Sequence, residues 1–204
     1  METLWFYIVA VMIAVYVVLD GFDLGAGILH LFVARNDRER RTVLQSIGPV
    51  WDGNEVWLLT AVGATFAAFP EWYATLFSGF YLALVLMLLA LILRGVAFEF
   101  RFKATGKSRR IWDYSFHFGS LVATFMQGMV LGTFVQGVTV QGRSFAGGAF
   151  DWVNAYSVMV GMALVFGYAL LGATWLAMVE SWRQRRRTMG HCWLRRSSSS
   201  SSEM

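Results

Sequence analysis

Long apolar runs separated by short polar segments dominate the pattern of hydrophobicity along the chain. Each run is long enough for a helix that crosses the hydrocarbon core of a bilayer, which requires about 20 mostly apolar residues. The sequence therefore predicts an all-α, polytopic bundle of about five transmembrane helices. The predicted helices cover residues 4–33, 49–69, 72–98, 112–138 and 152–178.

The segments between the runs are predicted to be loops. They are a polar loop at 35–41, a tight turn at Pro70-Glu71, a basic loop at 101–110 and a glycine-rich loop at 141–150. Residues 1–180 form one transmembrane helical domain in this interpretation. Residues 181–204 are basic and rich in serine, so we expect a disordered tail there.

The composition agrees with an integral membrane protein. Hydrophobic residues make up 57% of the 204 residues, and charged residues make up only 15%. The net charge of +4 does not indicate nucleic-acid binding, because the arginines lie in short loops rather than on one soluble face. The single cysteine, Cys192, excludes an intrachain disulfide and a metal site built from cysteines.

Arginines mark one side of the predicted bundle. They are concentrated in the segments after the first, third and fifth helices, whereas the loops of the opposite side contain only Arg143. Cytoplasmic loops carry an excess of Lys and Arg. This asymmetry therefore places the N-terminus outside, with the basic loops and the C-terminal tail in the cytoplasm.

Four acids and one arginine interrupt the apolar runs. Asp20 and Asp23 share a face of the first helix near the middle of the membrane, and Asp52 and Glu55 share a face in the first turns of the second helix. Arg94 lies about one turn from the cytoplasmic end of the third helix. A charge inside a bilayer costs about 2.5–3.5 kcal/mol on the insertion scale, so such residues are candidates for a functional site. Their depths predict a ladder of acids from the cytoplasmic surface to the membrane middle.

Each of these residues also has a purely structural interpretation. Asp20 and Asp23 lie beside a G-x-x-x-G motif and could serve helix packing alone. Asp52 and Glu55 could be a first-turn pair favoured by the helix dipole. Arg94 could extend to the membrane interface instead of neutralising a buried acid.

The histidines share no ligand motif. His30 and His117 lie near predicted cytoplasmic helix ends, and we expect them to be interfacial rather than ligands of haem or a metal. The sequence thus predicts no catalytic residue and no metal site in this chain.

Five short motifs carry a family resemblance. They are Asp20-Gly-Phe-Asp-Leu-Gly-Ala-Gly, Arg35-Asn-Asp-x-Glu-Arg-Arg, Trp51-Asp-Gly-Asn-Glu-Val-Trp, Phe77-Ser-Gly-Phe-Tyr and Leu93-Arg-Gly-Val-Ala-Phe-Glu-Phe-Arg. In this order they strongly resemble subunit II of the cytochrome bd quinol oxidases. The resemblance extends from about Trp5 to Trp175.

The resemblance implies a role in a bacterial respiratory chain. In that family, a larger subunit I holds haems b and d and the quinol-oxidising site. Subunit II supports it and contributes to a cytoplasmic proton route for oxygen reduction, with a structural quinone ascribed to it. The family position of Trp51-Asp52 is associated with the proton entrance, and that of Arg94 with its neighbourhood. The resemblance therefore implies a heterodimer in the inner (plasma) membrane and a chain that ligates no haem and is not catalytic alone.

The resemblance and the depths of the acids lead to one hypothesis. Reduction of oxygen to water consumes protons, and burial and a neighbouring arginine shift the pKa of a carboxyl group in opposite directions. We expect Asp52 and Glu55 to collect the proton, with Arg94 tuning them. Asp23 and Asp20 lie deeper on the route or brace it.

Acids inside the membrane would also suit a self-contained proton or cation transporter. Alternating access predicts an internal repeat, and we find no convincing match between the first two and the next two helices. Co-purification of a haem-bearing subunit I would decide for the oxidase.

The end of the chain departs from the family pattern. Family members continue with further helices, whereas this sequence runs into Glu180-Ser-Trp-Arg-Gln-Arg-Arg-Arg and a serine run to Ser202. We therefore expect a C-terminally truncated or frame-shifted form of the subunit.

The arginine asymmetry generates a topology prediction. A reporter that is active only in the cytoplasm should be active when it is fused within residues 101–110, because the basic loop stays inside. The matched fusion at Pro70-Glu71 should be inactive. Activity of a periplasmic reporter within residues 101–110 would contradict the predicted orientation.

Overall fold

Helices form nearly all of the regular structure in the computed structural model of the chain. Side chains are described for residues 1–142 and 144–181, and the last helix is assigned to Ser200. The elements in chain order are α1 (Glu2–Val33), α2 (Asp37–Ile47), α3 (Trp51–Ala68), α4 (Pro70–Gly79), α5 (Tyr81–Lys103), α6 (Lys107–Gln136), β1 (Val140–Gln141), β2 (Ser144–Phe145) and α7 (Ala155–Ser200). The predicted all-α membrane bundle is confirmed.

Four of these helices are long and apolar enough to cross a membrane. They are α1, α5, α6 and the described part of α7, Ala155–Ser181. The difference from the predicted five spans is α3, which has 18 residues and carries Asp52, Asn54 and Glu55 in its first turns. Length and composition therefore do not mark α3 as a span, although it packs along α1.

The predicted loop at residues 35–41 is wrong, because this polar segment begins the helix α2. Asn36 caps the helix: its side-chain oxygen accepts a hydrogen bond from the Glu39 N–H at 2.9 Å, and its amide donates to the Glu39 carboxylate at 2.6 Å. Such reciprocal bonds stabilise a helix start much as a capping box does. The buried face of α2 consists of Val43, Leu44 and Ile47.

The predicted third helix, residues 72–98, is two helices. Pro70 is in the first turn of α4, where its missing N–H is no loss, so the predicted turn at Pro70-Glu71 is a helix start. The helix is interrupted at Phe80, whose ring is buried in a cluster with Met129 and Trp152. Beyond the break, α5 continues to Lys103, well past the predicted end.

The last two spans also start away from their predicted positions. α6 begins at Lys107, so most of the predicted basic loop is helical. The glycine-rich loop after α6 contains an antiparallel pairing of β1 with β2. α7 begins only at Ala155, because the Asn154 side chain accepts a hydrogen bond from the Ser157 N–H at 2.8 Å and caps the helix.

Glycines set the closest contacts between the spanning helices. A Cβ atom at Gly25 of α1 would lie 1.8 Å from the Tyr168 carbonyl oxygen of α7, and one at Gly172 would lie 2.2 Å from the Gly25 carbonyl carbon. A Cβ atom at Gly128 of α6 would lie 2.6 Å from the Gly161 Cα of α7. Small residues let membrane helices approach at backbone distance, so the packing expected beside the first-helix acids is present.

The predicted disordered tail falls on residues 181–204. From residue 182 onward it lies outside the part of the chain whose side chains the structure describes. Its disorder therefore stays a prediction.

The contact at Gly25 generates a stability prediction. Gly25→Ala should push α1 and α7 apart, and overpacking of this kind costs about 1–3 kcal/mol, occasionally more. The measurement is the thermal unfolding midpoint of the detergent-solubilised chain. Gly63→Ala is the matched control, because nothing lies within 4 Å of a Cβ atom there. If the two variants unfold at the same temperature, the close contact does not stabilise the bundle.

Candidate functional site

Arg94 connects three helices inside the bundle. Its side chain is only 1% exposed, its Nη2 lies 2.7 Å from Asp23 Oδ1 of α1, and its Nη1 donates a hydrogen bond of 3.0 Å to Glu55 Oε1 of α3. An arginine that extends to the interface would keep its guanidinium exposed. The interfacial alternative for Arg94 is therefore excluded, and the residue neutralises buried acids.

The depth of this pair differs from the expected one. We expected Arg94 about one turn from the end of its helix, but α5 continues to Lys103. The separation is about nine residues, or roughly 14 Å at 1.5 Å per residue. Asp23 is about ten residues, roughly 15 Å, from the end of α1 at Val33. Arg94 and Asp23 thus meet well inside the helical layer, rather than near its edge.

Asp20 belongs to a neighbouring polar group that the sequence interpretation missed. Its carboxylate is fully buried and accepts a hydrogen bond from Gln127 Nε2 of α6 at 3.3 Å. The same amide bonds the hydroxyl oxygen of Tyr16, one turn earlier on α1. Among the described residues, neither Asp20 Oδ1 nor the buried Tyr168 hydroxyl of α7 has a hydrogen-bond partner. In the sequence, the glutamine and the tyrosines within apolar runs could have indicated this polar group.

The two acids at the start of α3 have different surroundings. Glu55 is 33% exposed and reaches inward to Arg94, whereas Asp52 is exposed and makes no hydrogen bond or ion pair with a described side chain. Trp51 packs on Phe98 of α5 with ring centroids 5.0 Å apart. The structure therefore brings Glu55 to Arg94 but leaves Asp52 and Trp51 outside that ion-pair group.

Asn54 of α3 is buried beside this group and donates from its amide to the Leu19 carbonyl oxygen of α1 at 3.2 Å. This bond holds the start of α3 against the middle of α1. Within the Trp51-Asp-Gly-Asn-Glu motif, Asn54 thus contacts backbone and Glu55 contacts Arg94, whereas Asp52 has no such contact among the described residues.

A second ionic cluster lies at the end of the bundle where α1 and α5 end and α6 begins. Its centre is Asp113, a buried residue of α6 that the sequence analysis did not single out. Asp113 Oδ1 is 2.8 Å from His30 Nε2 and also contacts Arg101 Nε, and Asp113 Oδ2 is 3.0 Å from Arg40 Nη1. In the sequence, an acid that follows a basic loop at the start of an apolar run could have indicated this cluster.

The expected interfacial position is wrong for His30. Its ring is fully buried, bonded to Asp113 and packed edge-on against Phe116 at 5.4 Å. His117 is also buried, and its Nδ1 is 3.4 Å from the Gly27 carbonyl oxygen. Close packing of α1 on α6 covers both rings, which helix position alone does not reveal. No group of three or more possible metal ligands occurs among the described residues.

The arrangement places four carboxyl groups in sequence from the surface into the bundle. Asp52 is exposed, Glu55 is partly exposed, and Asp23 and Asp20 are buried. Arg94 lies between Glu55 and Asp23 and contacts both. Carboxyl groups bind and release protons, so this geometry can relay them between the surface and the interior. It can equally hold α1, α3 and α5 together as a buried ion-pair group.

Comparisons with known proteins match most of the chain. The family described as "Cytochrome bd terminal oxidase subunit II" matches residues 1–195. The chain is 42% identical over 194 residues to "Cytochrome bd ubiquinol oxidase subunit 2" of Bacillus subtilis, with 93% of this chain and 57% of that protein covered. It is 39% identical over 198 residues to "Cytochrome bd-I ubiquinol oxidase subunit 2" of Escherichia coli K12, with 94% of this chain and 50% of that protein covered. The chain thus spans about half the length of these relatives.

The ion pair of Arg94 generates a prediction for a double-mutant cycle. Arg94→Gln should lower the free energy of unfolding by about 3–5 kcal/mol, because breaking a buried pair leaves an uncompensated charge. Adding Asp23→Asn should recover part of this loss, since the unpaired acid is then removed. The measurement is unfolding of the single and double variants in detergent.

Asp52→Asn is the control for this cycle, because Asp52 is exposed and unbonded among the described residues. It should change the free energy of unfolding by less than about 0.5 kcal/mol. Strictly additive losses for Arg94→Gln and Asp23→Asn would show that the two side chains are not energetically coupled.

Proposed function

Because the chain belongs to the cytochrome bd terminal oxidase subunit II family, we propose that it serves as a subunit of a cytochrome bd-type quinol:oxygen oxidoreductase. In this role it supports a haem-bearing subunit I as a heterodimer in the bacterial inner membrane. It also contributes to proton uptake from the cytoplasm as oxygen is reduced to water. The isolated chain is not catalytic in this proposal.

One contact carries the proposal for proton uptake. Arg94 joins an acid with partial access to the surface, Glu55, to a fully buried acid, Asp23. A desolvated ion pair rarely stabilises a fold more than apolar residues of similar volume, so packing alone is a weak reason for three charged side chains at this place. An arginine between two acids can instead stabilise either of them in the ionised form while the other holds the proton.

The interior end of the route has unpaired polar atoms that suit proton transfer. Among the described residues, Asp23 Oδ2, Asp20 Oδ1 and the Tyr168 hydroxyl have no hydrogen-bond partner, whereas Asp23 Oδ1 lies 2.7 Å from Arg94 Nη2. Buried polar groups are nearly always hydrogen-bonded, to protein or to ordered water. We propose that water connects these atoms when the route conducts. Tyr16 and Gln127 hold the Asp20 carboxylate in place.

We place the entrance at Asp52 and Glu55 of α3, with Asp52 on the face that points away from the bundle and Glu55 reaching inward to Arg94. Asp52 is exposed there, and the same helix exposes the apolar side chains of Val56, Leu59 and Phe66. An acid on an apolar membrane face requires a polar partner. We propose that subunit I covers this face, so that protons enter between the subunits. The basic loops and the tail lie on the cytoplasmic side, as the arginine distribution favours.

The haems belong to the partner subunit in this proposal. His30 belongs to the Asp113 cluster, since its Nε2 is bonded to Asp113 and its ring packs against Phe116. His117 is packed between the rings of Phe32 and Phe118. We therefore assign haems b and d to subunit I, and we assign no residue here to the structural quinone.

A self-contained proton or cation transporter was the alternative interpretation. The family match and the named relatives support the oxidase subunit instead. Intramembrane acids alone do not distinguish the two functions, because both move protons through buried carboxyl groups. The alternative is therefore not retained.

The proton-uptake proposal predicts a specific order of activities. Asp52→Asn and Glu55→Gln keep size and hydrogen bonding but remove the titratable proton, so quinol-dependent oxygen uptake per haem should fall at least about tenfold in the assembled enzyme. Asp52→Glu keeps a titratable group and should retain part of the activity. Haem content should stay normal in all three variants, and the measurement is oxygen uptake normalised to haem.

Glu99→Gln is the matched control, because Glu99 is an exposed acid of α5 that makes no ion pair with the described residues of either ionic group. It should have wild-type uptake per haem. Since Asp52 is exposed, loss of packing does not explain a low activity of its asparagine variant. If Asp52→Asn and Glu55→Gln are both as active per haem as the wild type, these acids are structural and the proposed route fails.

A further inference from the structure

A basic pocket lies at the end of the bundle where α1 and α5 end and α6 begins. Its volume is about 490 Å³. The charged side chains that line it are Arg35, Arg40, Arg109, Arg110, Asp37 and Asp113. The pocket is separate from the Arg94 group and has no part in the proposed proton route. Its arginines outnumber its acids, which raises the question of what the excess charge binds.

The two acids of the pocket are already neutralised. Asp113 contacts Arg40 at 3.0 Å and also contacts Arg101. Asp37 contacts Arg101 at 3.0 Å and Arg109 at 2.8 Å. These pairs engage both oxygens of each carboxylate, so each acid is already matched by two arginines.

Two arginines of the pocket keep free guanidinium groups. The side chains of Arg35 and Arg110 are exposed, and neither has a hydrogen-bond or ion-pair partner among the described residues. Glu39, an acid four residues after Arg35, accepts hydrogen bonds instead from the Arg35 backbone N–H at 2.7 Å and the Asn36 amide at 2.6 Å. The uncompensated positive charge therefore lies on the pocket wall.

Backbone donors add to the same pocket. Gly106, which also lines it, is the N-cap residue of the 30-residue helix α6, and no side chain caps that helix. The first N–H groups of a helix lack intrahelical partners and favour an anion. Free guanidinium forks and helix N–H groups are the donors that bind phosphate oxygens.

We propose that this pocket binds a phosphate group. The pocket lies level with the ends of α1, α5 and α6, all of which are long and apolar enough to span the membrane. Phospholipid headgroups occupy that level, and basic pockets between transmembrane helices bind anionic headgroups. The phosphate of an anionic phospholipid is therefore the expected ligand, and free inorganic phosphate is the other source of the same chemistry.

The test uses native mass spectrometry of the full chain in detergent, titrated with dioleoylphosphatidylglycerol. Dioleoylglycerol, which lacks the phosphate, is the ligand control. The double variant Arg35→Gln/Arg110→Gln should weaken phosphatidylglycerol binding about fivefold for each arginine removed. Arg38→Gln/Lys103→Gln is the matched control, because it removes two exposed positive charges from the same end of the bundle that do not line the pocket. Binding to this control should match the wild type.

Two further arms identify the source and the geometry. Arg35→Lys/Arg110→Lys keeps the charge but loses the planar fork, so its affinity should lie between those of the wild type and the glutamine variant. Competition by millimolar inorganic phosphate would identify free phosphate as the ligand, and a lack of competition would identify the lipid. The proposal is overturned if the pocket and control variants lose the same affinity for phosphatidylglycerol, or if neither variant loses any. It is also overturned if dioleoylglycerol binds as well as phosphatidylglycerol.

Discussion

Burial of the Arg94 guanidinium inside an apolar bundle is the constraint on which the rest of the structure depends. A charge in this environment is stable only beside opposite charges, and these come from α1 and α3. The pairing therefore fixes three helices relative to one another. A fourth helix, α6, packs closely against Arg94 because Gly119 has no side chain: a Cβ atom there would lie 3.1 Å from Arg94 Cβ. Charge pairing and close packing thus occur at the same place.

The two ionic groups have different surroundings, and this separates their roles. The Asp113 group lies where helices end, and it draws α2 onto the bundle through Arg40. Both Asp113 oxygens are bonded there, which suits a rigid connection. The Arg94 group lies deeper and keeps buried oxygens without donors among the described residues. Incomplete satisfaction weakens it as a purely structural group and suits it to proton exchange.

Chain order and composition were sufficient for the membrane class, the all-α fold and the charged residues of the Arg94 group. In lipid, a single apolar segment can form all of its backbone hydrogen bonds internally only as a helix. The acids Asp20, Asp23 and Glu55 are conspicuous in those runs because charges there are rare. Helix ends were predicted less well, since the cap at Asn36 and the break at Phe80 depend on local bonds and on burial against distant residues.

The pairing of charged side chains with one another depended on how the helices pack in three dimensions. Arg94 pairs with Glu55 across 39 positions of sequence, and His30 pairs with Asp113 across 83. No periodicity within one helix encodes such pairs, because they depend on how helices rotate and approach one another. Asp52 and Glu55 share a helix face, yet only Glu55 reaches Arg94. The sequence thus determined which charged residues interrupt the apolar runs. The packing of glycine-lined helices determined which of them are buried and which meet, because a charge in lipid must find its partner on a neighbouring helix.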